Sequence, residues 1–242
     1  MANLGFRFQK NTPVRESYLL NKGNAPFSIT EAYKALRTNV LFSLPQESQK
    51  VIGVTSSERG DGKTTTAINL ALSLCEVGKS VILLECDFRL PTLAKKTGIR
   101  TVRGFSDMLI GSVEKEKVIK TLPNSKLNVL PAGRIPKDPT ALLQSSAMKE
   151  FIEECRSTYD YIVVDLPPVN VVADALIMSE FIDGFLLVIR HGVSEFNRIQ
   201  ETIKRLEISK ANIIGFAYNG SKLSEKKYYS KYKYGYEYKA HD

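Results

Sequence analysis

An eight-residue run, 57–64, ends in Gly-Lys-Thr and matches the phosphate-binding motif G-x-x-x-x-G-K-[ST], except that Ser57 replaces the first glycine. It follows an apolar run, 51–56, and precedes a periodic apolar segment, 64–77, so strand, turn and helix come in the required order. Backbone N–H groups and the helix dipole can then bind phosphate oxygens, although an ordinary polar turn is the alternative. We assign nucleotide binding to Ser57, Gly60, Asp61, Gly62, Lys63, Thr64, Thr65 and Asn219.

Carboxylates end two further predicted strands. Glu85 and Asp87 alternate at the end of one strand, which places them on the same side of it. Asp165 ends another strand, as the acid of a Walker B strand does. Each acid alone could cap the following helix, but three of them beside a phosphate loop favour a Mg²⁺ site.

The elements that position these residues alternate along the chain. Continuous β-branched runs predict strands at 80–86, 126–131, 160–165, 184–190 and 212–218, and periodic segments predict helices at 64–77, 145–157, 172–181 and 195–207. This order predicts one doubly wound α/β domain with a mainly parallel sheet. A capping-box pattern at 28–31 predicts a helix over 30–42. We therefore divide the chain into an N-terminal arm (1–27), the domain (28–220) and a polar, flexible tail (221–242).

Composition limits the compartment and the partners. No apolar run of the 242 residues approaches the ~20 needed to span a bilayer, and residues 1–10 lack the apolar core of a secretory signal. The three cysteines are scattered and odd in number, which predicts no disulfide framework and a cytoplasmic protein. Much of the formal charge of +8 lies in the lysine-rich tail, so we expect no nucleic-acid partner.

With these motifs, the sequence resembles the bacterial tyrosine kinases of capsule and exopolysaccharide synthesis, a cytoplasmic family unrelated to eukaryotic protein kinases. The specific feature is the second acidic motif at 83–91, a hydrophobic run followed by acid-x-Asp-x-Arg and proline, which generic phosphate-loop proteins lack. The phosphate loop, Asp165-x-Pro-Pro and the tyrosine-rich end also match. The fold expected from the resemblance is that of the MinD and ParA ATPases, with deviant Walker motifs.

The resemblance implies ATP and Mg²⁺ as cofactors and protein-tyrosine autophosphorylation as the reaction. Two departures are Arg59 in the loop, where the family usually has proline, and Glu85, where the family usually has aspartate. Asp87 matches the family pattern and is our candidate for metal ligand and base. The predicted catalytic residues are Lys63, Glu85, Asp87 and Asp165, and the predicted metal ligands are Thr64, Glu85, Asp87 and Asp165.

The C-terminal segment concentrates six of the eleven tyrosines among lysines. An amphipathic edge strand is one interpretation, but the stretch is terminal, highly charged and follows the last core strand. A flexible acceptor segment fits better, because each hydroxyl must reach the γ-phosphate. The predicted phosphoacceptors are Tyr228, Tyr229, Tyr232, Tyr234, Tyr236 and Tyr238.

Glu31, Lys34 and Arg37 resemble the family's Glu-x-x-Arg-x-x-Arg oligomerisation motif, with lysine for the first arginine. Their spacing puts them along one side of a helix, where a solvated charged face is an equal alternative. The resemblance implies a ring of subunits, each tail entering a neighbour's site. It also implies an activating membrane-embedded polysaccharide co-polymerase that recruits the chain to the inner face of the plasma membrane, and a cognate tyrosine phosphatase.

Two other functions stay open from the sequence. A ParA- or MinD-like ATPase switch shares the fold, but such proteins have a second lysine early in the loop, where this chain has Glu58. A degenerate ATP-binding module of a polysaccharide export complex is consistent with the departures at Arg59 and Glu85. Phosphotyrosine formation from ATP would separate these functions.

Overall fold

The computed structural model describes residues 18–44 and 50–221. Seven strands form one sheet in the order β3-β4-β2-β5-β1-β6-β7, in which every pairing is parallel except β3 with β4. The bounds are β1 Lys50–Ser56, β2 Val81–Glu85, β3 Lys120–Thr121, β4 Asn128–Leu130, β5 Tyr161–Asp165, β6 Gly184–Arg190 and β7 Ile213–Asn219. The sheet confirms the predicted α/β class.

Helices cover both faces of this sheet. Strand residues alternate between two apolar cores, as Val51 and Ile52 do in β1. The helices are α1 Phe27–Ser43, α2 Lys63–Glu76, α3 Leu93–Thr97, α4 Phe105–Leu109, α5 Lys115–Val118, α6 Pro139–Leu143, α7 Ser146–Thr158, α8 Asp174–Ile177 and α9 Phe196–Ile208. The core under α1, α2 and α3 lies on one face, and residues of α4 to α9 pack into the other core. This arrangement confirms a doubly wound fold.

The predicted start of α1 and the predicted length of one other helix were wrong, whereas the predicted starts of α2, α7 and α9 differ from the structure by one residue each. Helix α1 begins at Phe27 after Pro26, so Ser28 lies inside the helix and makes no cap. Helix α2 begins one residue earlier than predicted, at Lys63. The helix predicted over 172–181 consists of the short α8 followed by a 3-10 turn, Met178–Glu180.

The chain already packs against the domain before α1. Leu19 is buried, and the side-chain amide of Asn69 in α2 bonds to the backbone of the residues on either side of it. Asn69 Oδ1 accepts from the Leu20 backbone N–H at 3.0 Å, and Asn69 Nδ2 donates to the Tyr18 carbonyl at 2.9 Å. The arm boundary at residue 27 stays a prediction, but residues 18–20 lie on α2. Within the described ranges, no helix combines the length and apolarity required to traverse a bilayer.

Candidate active site

The predicted site residues meet at one edge of the sheet. Strand β5 lies between β1 and β2, and Asp165 at its end is level with Glu85 of β2 and Val54 of β1. The loop after β1 leads into α2, whose first residue is Lys63. Because the carboxyl ends of these parallel strands coincide, the phosphate loop lies beside the acids, as predicted.

Lys63 joins two of the three acids. Its ammonium Nζ donates to Asp87 Oδ2 at 2.7 Å and lies 3.8 Å from Asp165 Oδ1. Burial disfavours the charged lysine, but the charges of Asp165 and Asp87 outweigh burial, so the pKa of Lys63 is raised. Lys63 is therefore a cation throughout the physiological pH range.

Asp165 is a fully buried carboxylate with unused acceptor capacity. Neither of its oxygens accepts a well-formed hydrogen bond from another described residue. Burial raises the pKa of Asp165, while the Lys63 charge and the neighbouring Thr64 hydroxyl oppose that shift. Buried carboxylates are normally paired, so orphaned oxygens beside a threonine hydroxyl fit a cation ligand set.

Asp87 lies just beyond the end of β2, and its side chain is 7% exposed. One oxygen bonds Lys63, and Oδ1 accepts from the Leu90 backbone N–H at 3.1 Å. Asp87 is thus oriented by its own turn and faces the lysine of the phosphate loop. This position is consistent with the predicted roles of metal ligand and base.

Glu85, two residues earlier, is bonded to backbone instead. Its Oε1 accepts from the N–H groups of Thr92 and Leu93 at 2.5 and 2.6 Å, and Oε2 accepts from Ala132 N–H at 2.9 Å. Burial raises its pKa to about 7, although these amides act to lower it. The metal-ligand role predicted for Glu85 stays a prediction. Its contacts stabilise the segment 86–93 against the loop after β4.

The phosphate loop is fixed by residues far along the chain. Asp61 Oδ1 accepts from the Ser194 hydroxyl at 2.9 Å, and Oδ2 accepts from the Glu58 N–H at 3.3 Å. Arg190 Nη1 donates to the Gly60 carbonyl at 2.7 Å. Asp61 is 1% exposed and burial raises its pKa, so its side chain stabilises the loop, and only its backbone is left to bind phosphate.

Asn219 and Gly62 touch at the base of this loop. Asn219 Nδ2 donates to the Asp61 carbonyl at 2.9 Å. Gly62 has φ of +100°, and a Cβ there would lie 2.0 Å from Asn219 Nδ2. Glycine is therefore required at position 62 both by its backbone conformation and by the close amide. Asn219, predicted to bind nucleotide, contacts the phosphate loop directly.

Several residues around the site were not predicted. Arg89 of the acidic motif makes a bidentate pair with buried Asp174, with Nε–Oδ2 at 2.8 Å and Nη2–Oδ1 at 3.1 Å. Arg89 Nη2 also donates to the Thr140 hydroxyl at 3.1 Å, so this arginine joins the motif to α6 and α8. Lys96 of α3 contacts Thr65. Of these residues, only Arg89 belongs to a motif that the sequence shows, and nothing in the sequence marks its buried partner Asp174.

Glu58 stands at the loop position of the second lysine expected in a ParA- or MinD-like ATPase. It pairs with Arg198 of α9, with Nε–Oε1 at 2.7 Å. Arg198 in turn pairs with Glu201. Glu58 therefore belongs to a surface ion-pair network on its own subunit.

The predicted oligomerisation residues all lie on α1. Lys34 pairs with Glu31 at 2.7 Å within the helix. Arg37 donates to the Ser73 carbonyl at 2.7 Å and lies 3.4 Å from Glu76, so it bonds to the end of α2. Their role between subunits stays a prediction. The predicted phosphoacceptors, all between residues 228 and 238, lie outside the described residues.

A profile of the AAA domain family matches residues 49–213. The chain is 34% identical over 231 residues to tyrosine-protein kinase YwqD of Bacillus subtilis (strain 168), and the alignment covers 95% of this chain and 94% of YwqD. This chain belongs to the bacterial tyrosine kinases. The kinase also superposes on the kinase domain of Escherichia coli tyrosine kinase ETK with a TM-score of 0.77 at 28% identity, covering 81% of this chain and 77% of ETK.

The septum site-determining protein MinD of Pyrococcus horikoshii OT3, solved with Mg-ADP, shows the shared fold at a TM-score of 0.58 and 24% identity, covering 69% of this chain and 68% of MinD. The predicted fold family is thereby confirmed, and so is the kinase resemblance. The fold is that of nucleotide-binding proteins of the P-loop class, and the assignment of the nucleotide to residues 57–65 and Asn219 stays a prediction.

Proposed function

We propose that this kinase transfers the γ-phosphate of ATP to its own C-terminal tyrosines, between subunits, and thereby regulates capsule or exopolysaccharide synthesis and export. The observation that supports this most is the Lys63 ammonium between Asp87 and Asp165 at the start of α2. This contact places a lysine that can bind phosphates and acids that can bind Mg²⁺, the groups that phosphoryl transfer uses, in one site.

Lys63 and the loop backbone bind the phosphates of ATP. The N–H groups at the start of α2 and the helix dipole favour an anion there. The raised pKa of Lys63 keeps it charged for this contact. When the ammonium moves onto a phosphate oxygen, it gives up its 2.7 Å bond to Asp87 and leaves that carboxylate available. Nucleotide binding and release of Asp87 are thus coupled.

The donor set fits Mg²⁺. A threonine hydroxyl and two carboxylates, those of Thr64, Asp165 and Asp87, would hold the ion, which would neutralise charge on the phosphates during transfer. The described residues contain no cluster of three or more His, Cys, Asp or Glu suited to a metal by themselves. That agrees with Mg²⁺, which usually binds through one or two carboxylates together with substrate phosphates and water.

Asp87 is placed to take the proton of the acceptor. A tyrosine hydroxyl, with a pKa of ~10, must lose its proton as its oxygen bonds to phosphorus. Asp87 is the acid whose side chain retains some exposure, at 7%, whereas Asp165 is completely buried. Asp165 is therefore the phosphate-side acid and Asp87 the acceptor-side acid.

The acceptors in this proposal are the tail tyrosines named above. An aromatic, lysine-rich segment suits an acid-rich site, and each added phosphate contributes about −1.5 to −2 charge, which repels it from that site. Phosphorylation would then loosen a ring of subunits, and a tyrosine phosphatase would reverse the change. In this proposal, a membrane-embedded co-polymerase brings the kinase to the inner face of the plasma membrane and activates it.

The test uses two chains. One lacks residues 226–242, and the other is full length with Lys63→Met. We expect neither to acquire phosphotyrosine alone with Mg·ATP, and the mixture to become phosphorylated on the Lys63→Met chain between residues 228 and 238. Mass spectrometry of the separated chains reads this out.

Phosphotyrosine mapping mainly to Tyr18, Tyr159 or Tyr161 would contradict the acceptor assignment. Tyr161 is 5% exposed, so its phosphorylation would also require its side chain to leave the core. ATP binding by the wild-type chain with no phosphotyrosine at all would favour the degenerate module, an alternative that the backbone-bonded Glu85 keeps open.

A further inference from the structure

Helix α3 lies directly against the first turn of the phosphate-loop helix. Thr92, which precedes α3, donates its hydroxyl to the Thr64 hydroxyl at 3.1 Å. One turn later, Lys96 Nζ donates to the Thr65 hydroxyl at 3.0 Å. The segment after the acidic motif thus places a second ammonium on the phosphate loop, in addition to that of Lys63.

The electrostatic surroundings of this ammonium differ from those of Lys63. Lys96 is half-buried, and no carboxylate of the described ranges lies within ion-pair distance of it, whereas Lys63 pairs with Asp87. The start of α2 is the positive end of a helix dipole, and Thr65 lies in that first turn. Burial lowers the pKa of Lys96. The charge of Asp165 opposes that shift, and the charges of Lys63 and Lys95 add to it.

A cation that is half-desolvated, next to another lysine and to a helix N-terminus, is destabilising unless an anion joins it. The phosphate chain of a nucleotide is the anion that this loop binds. We propose that Lys96 is a second cationic ligand of the nucleotide phosphates, provided by α3. The proposal rests on the nucleotide site described above and adds to it a residue outside every motif of the sequence.

A purely structural role is the competing explanation, in which Lys96 only joins α3 to α2 through Thr65. The two roles differ in the sign of their effect on the protein without nucleotide. Removing a structural hydrogen bond lowers the free energy of unfolding. Removing an uncompensated cation relieves repulsion, so the nucleotide-free protein should keep or gain stability.

The experiment compares Lys96→Met with Lys95→Met, its exposed neighbour on the same helix, and with Lys96→Arg. Calorimetry at fixed Mg²⁺ gives the affinities for ADP and for inorganic pyrophosphate, and thermal melts without ligand give stability. Charge-assisted bonds of this kind are worth about 10- to 100-fold in affinity. We expect Lys96→Met to lose that factor for both ligands without a lower melting temperature, Lys95→Met to stay within about twofold of wild type, and Lys96→Arg to retain most of the affinity.

Unchanged ADP affinity in Lys96→Met would overturn the proposal. So would an equal loss in Lys95→Met, a loss for ADP without one for pyrophosphate, or a loss that merely follows a lowered melting temperature. Wild-type protein that fails to bind ADP would instead remove the nucleotide site itself, and with it both proposals.

Discussion

The phosphate loop, residues 57–64, and the segment that begins with the last residue of β2, residues 85–97, are fixed by different sets of contacts. The loop is fixed from outside: Arg190, Ser194 and Asn219, all more than a hundred residues later in the chain, bond to it. The second segment is fixed partly from within, because its first residue, Glu85, bonds the backbone at Thr92 and Leu93. It is also held by the Ala132 N–H and by the Arg89–Asp174 pair. The two segments meet in the Lys63–Asp87 pair.

In both segments, the residues that hold the backbone in place are different from the residues that we expect to take part in the reaction. In each segment one carboxylate, that of Asp61 or Glu85, accepts hydrogen bonds from backbone N–H or hydroxyl groups of the protein itself. The neighbouring charged groups, Lys63 and Asp87, pair with each other, and Lys63 also lies near Asp165. The second Asp87 oxygen accepts from the Leu90 N–H. A bound nucleotide therefore has to replace one ion pair and need not rearrange either loop. The predictions below test each half of this comparison.

The largest effect is expected at the meeting point. Lys63→Met should lower tyrosine phosphorylation at least ~100-fold, because the phosphate charge loses its partner in a buried site and Asp87 loses its ion pair. Initial rates with labelled ATP measure this. Lys149→Met, an exposed lysine of α7, is the control and should keep wild-type activity. Retained phosphorylation in purified Lys63→Met protein would remove Lys63 from the mechanism.

The inner fixation by Glu85 predicts a pH dependence of stability. The pKa of Glu85 is about 7 in the fold against an ordinary value of 4.5, so its neutral form is favoured by folding. The stabilisation is complete below pH 4.5 and is lost as the pH rises through about 7. Wild-type protein should therefore lose roughly 3 kcal/mol relative to Glu85→Gln across this window, at about 1.4 kcal/mol for each pKa unit.

Urea unfolding of both proteins between pH 4.5 and 8, in EDTA to remove divalent ions, gives that difference. If the difference in unfolding free energy stays constant with pH, the pKa of Glu85 is not raised in the folded protein, and burial does not have the effect described above.

The smallest effect is expected from removing one of the distant contacts that hold the phosphate loop. Ser194→Ala removes one hydrogen bond to Asp61 and one from the Arg190 N–H, and should cost about 1 kcal/mol of stability and a few-fold in ADP affinity. Ser157→Ala, which removes an exposed bond within α7, is the matched control and should change neither quantity measurably. Equal effects of the two substitutions would show that Ser194 does not fix the loop.

The sequence was sufficient for whatever depends on a local pattern. Continuous apolar runs gave the five long strands, and the Gly-Lys-Thr triplet gave the loop and Lys63. The short helices α3 to α6 were not predicted, because four or five residues are too few to show a helical period.

The role of Glu85 could not be predicted for a different reason. Its partners are backbone N–H groups, which every residue except proline has, so no residue type marks them. The same holds for Lys96, whose place beside the phosphate loop depends on the turn that Glu85 stabilises. The alternation of Glu85 and Asp87 along the chain predicted that both side chains lie in one site. In the structure the strand ends at Glu85, so the alternation stops there. Asp87 bonds Lys63, whereas Glu85 bonds backbone N–H groups.

The most direct test of the account is the Mg²⁺ dependence of phosphorylation in Asp87→Asn and Glu85→Gln at saturating ATP and pH 7.5. The account predicts that Asp87→Asn loses about 100-fold or more in rate and requires more Mg²⁺ for half-maximal activity. It predicts that Glu85→Gln, while folded, loses no more than about tenfold and keeps the wild-type Mg²⁺ requirement. Equal rate losses, or a raised Mg²⁺ requirement confined to Glu85→Gln, would contradict it and would make Glu85 the metal-side acid.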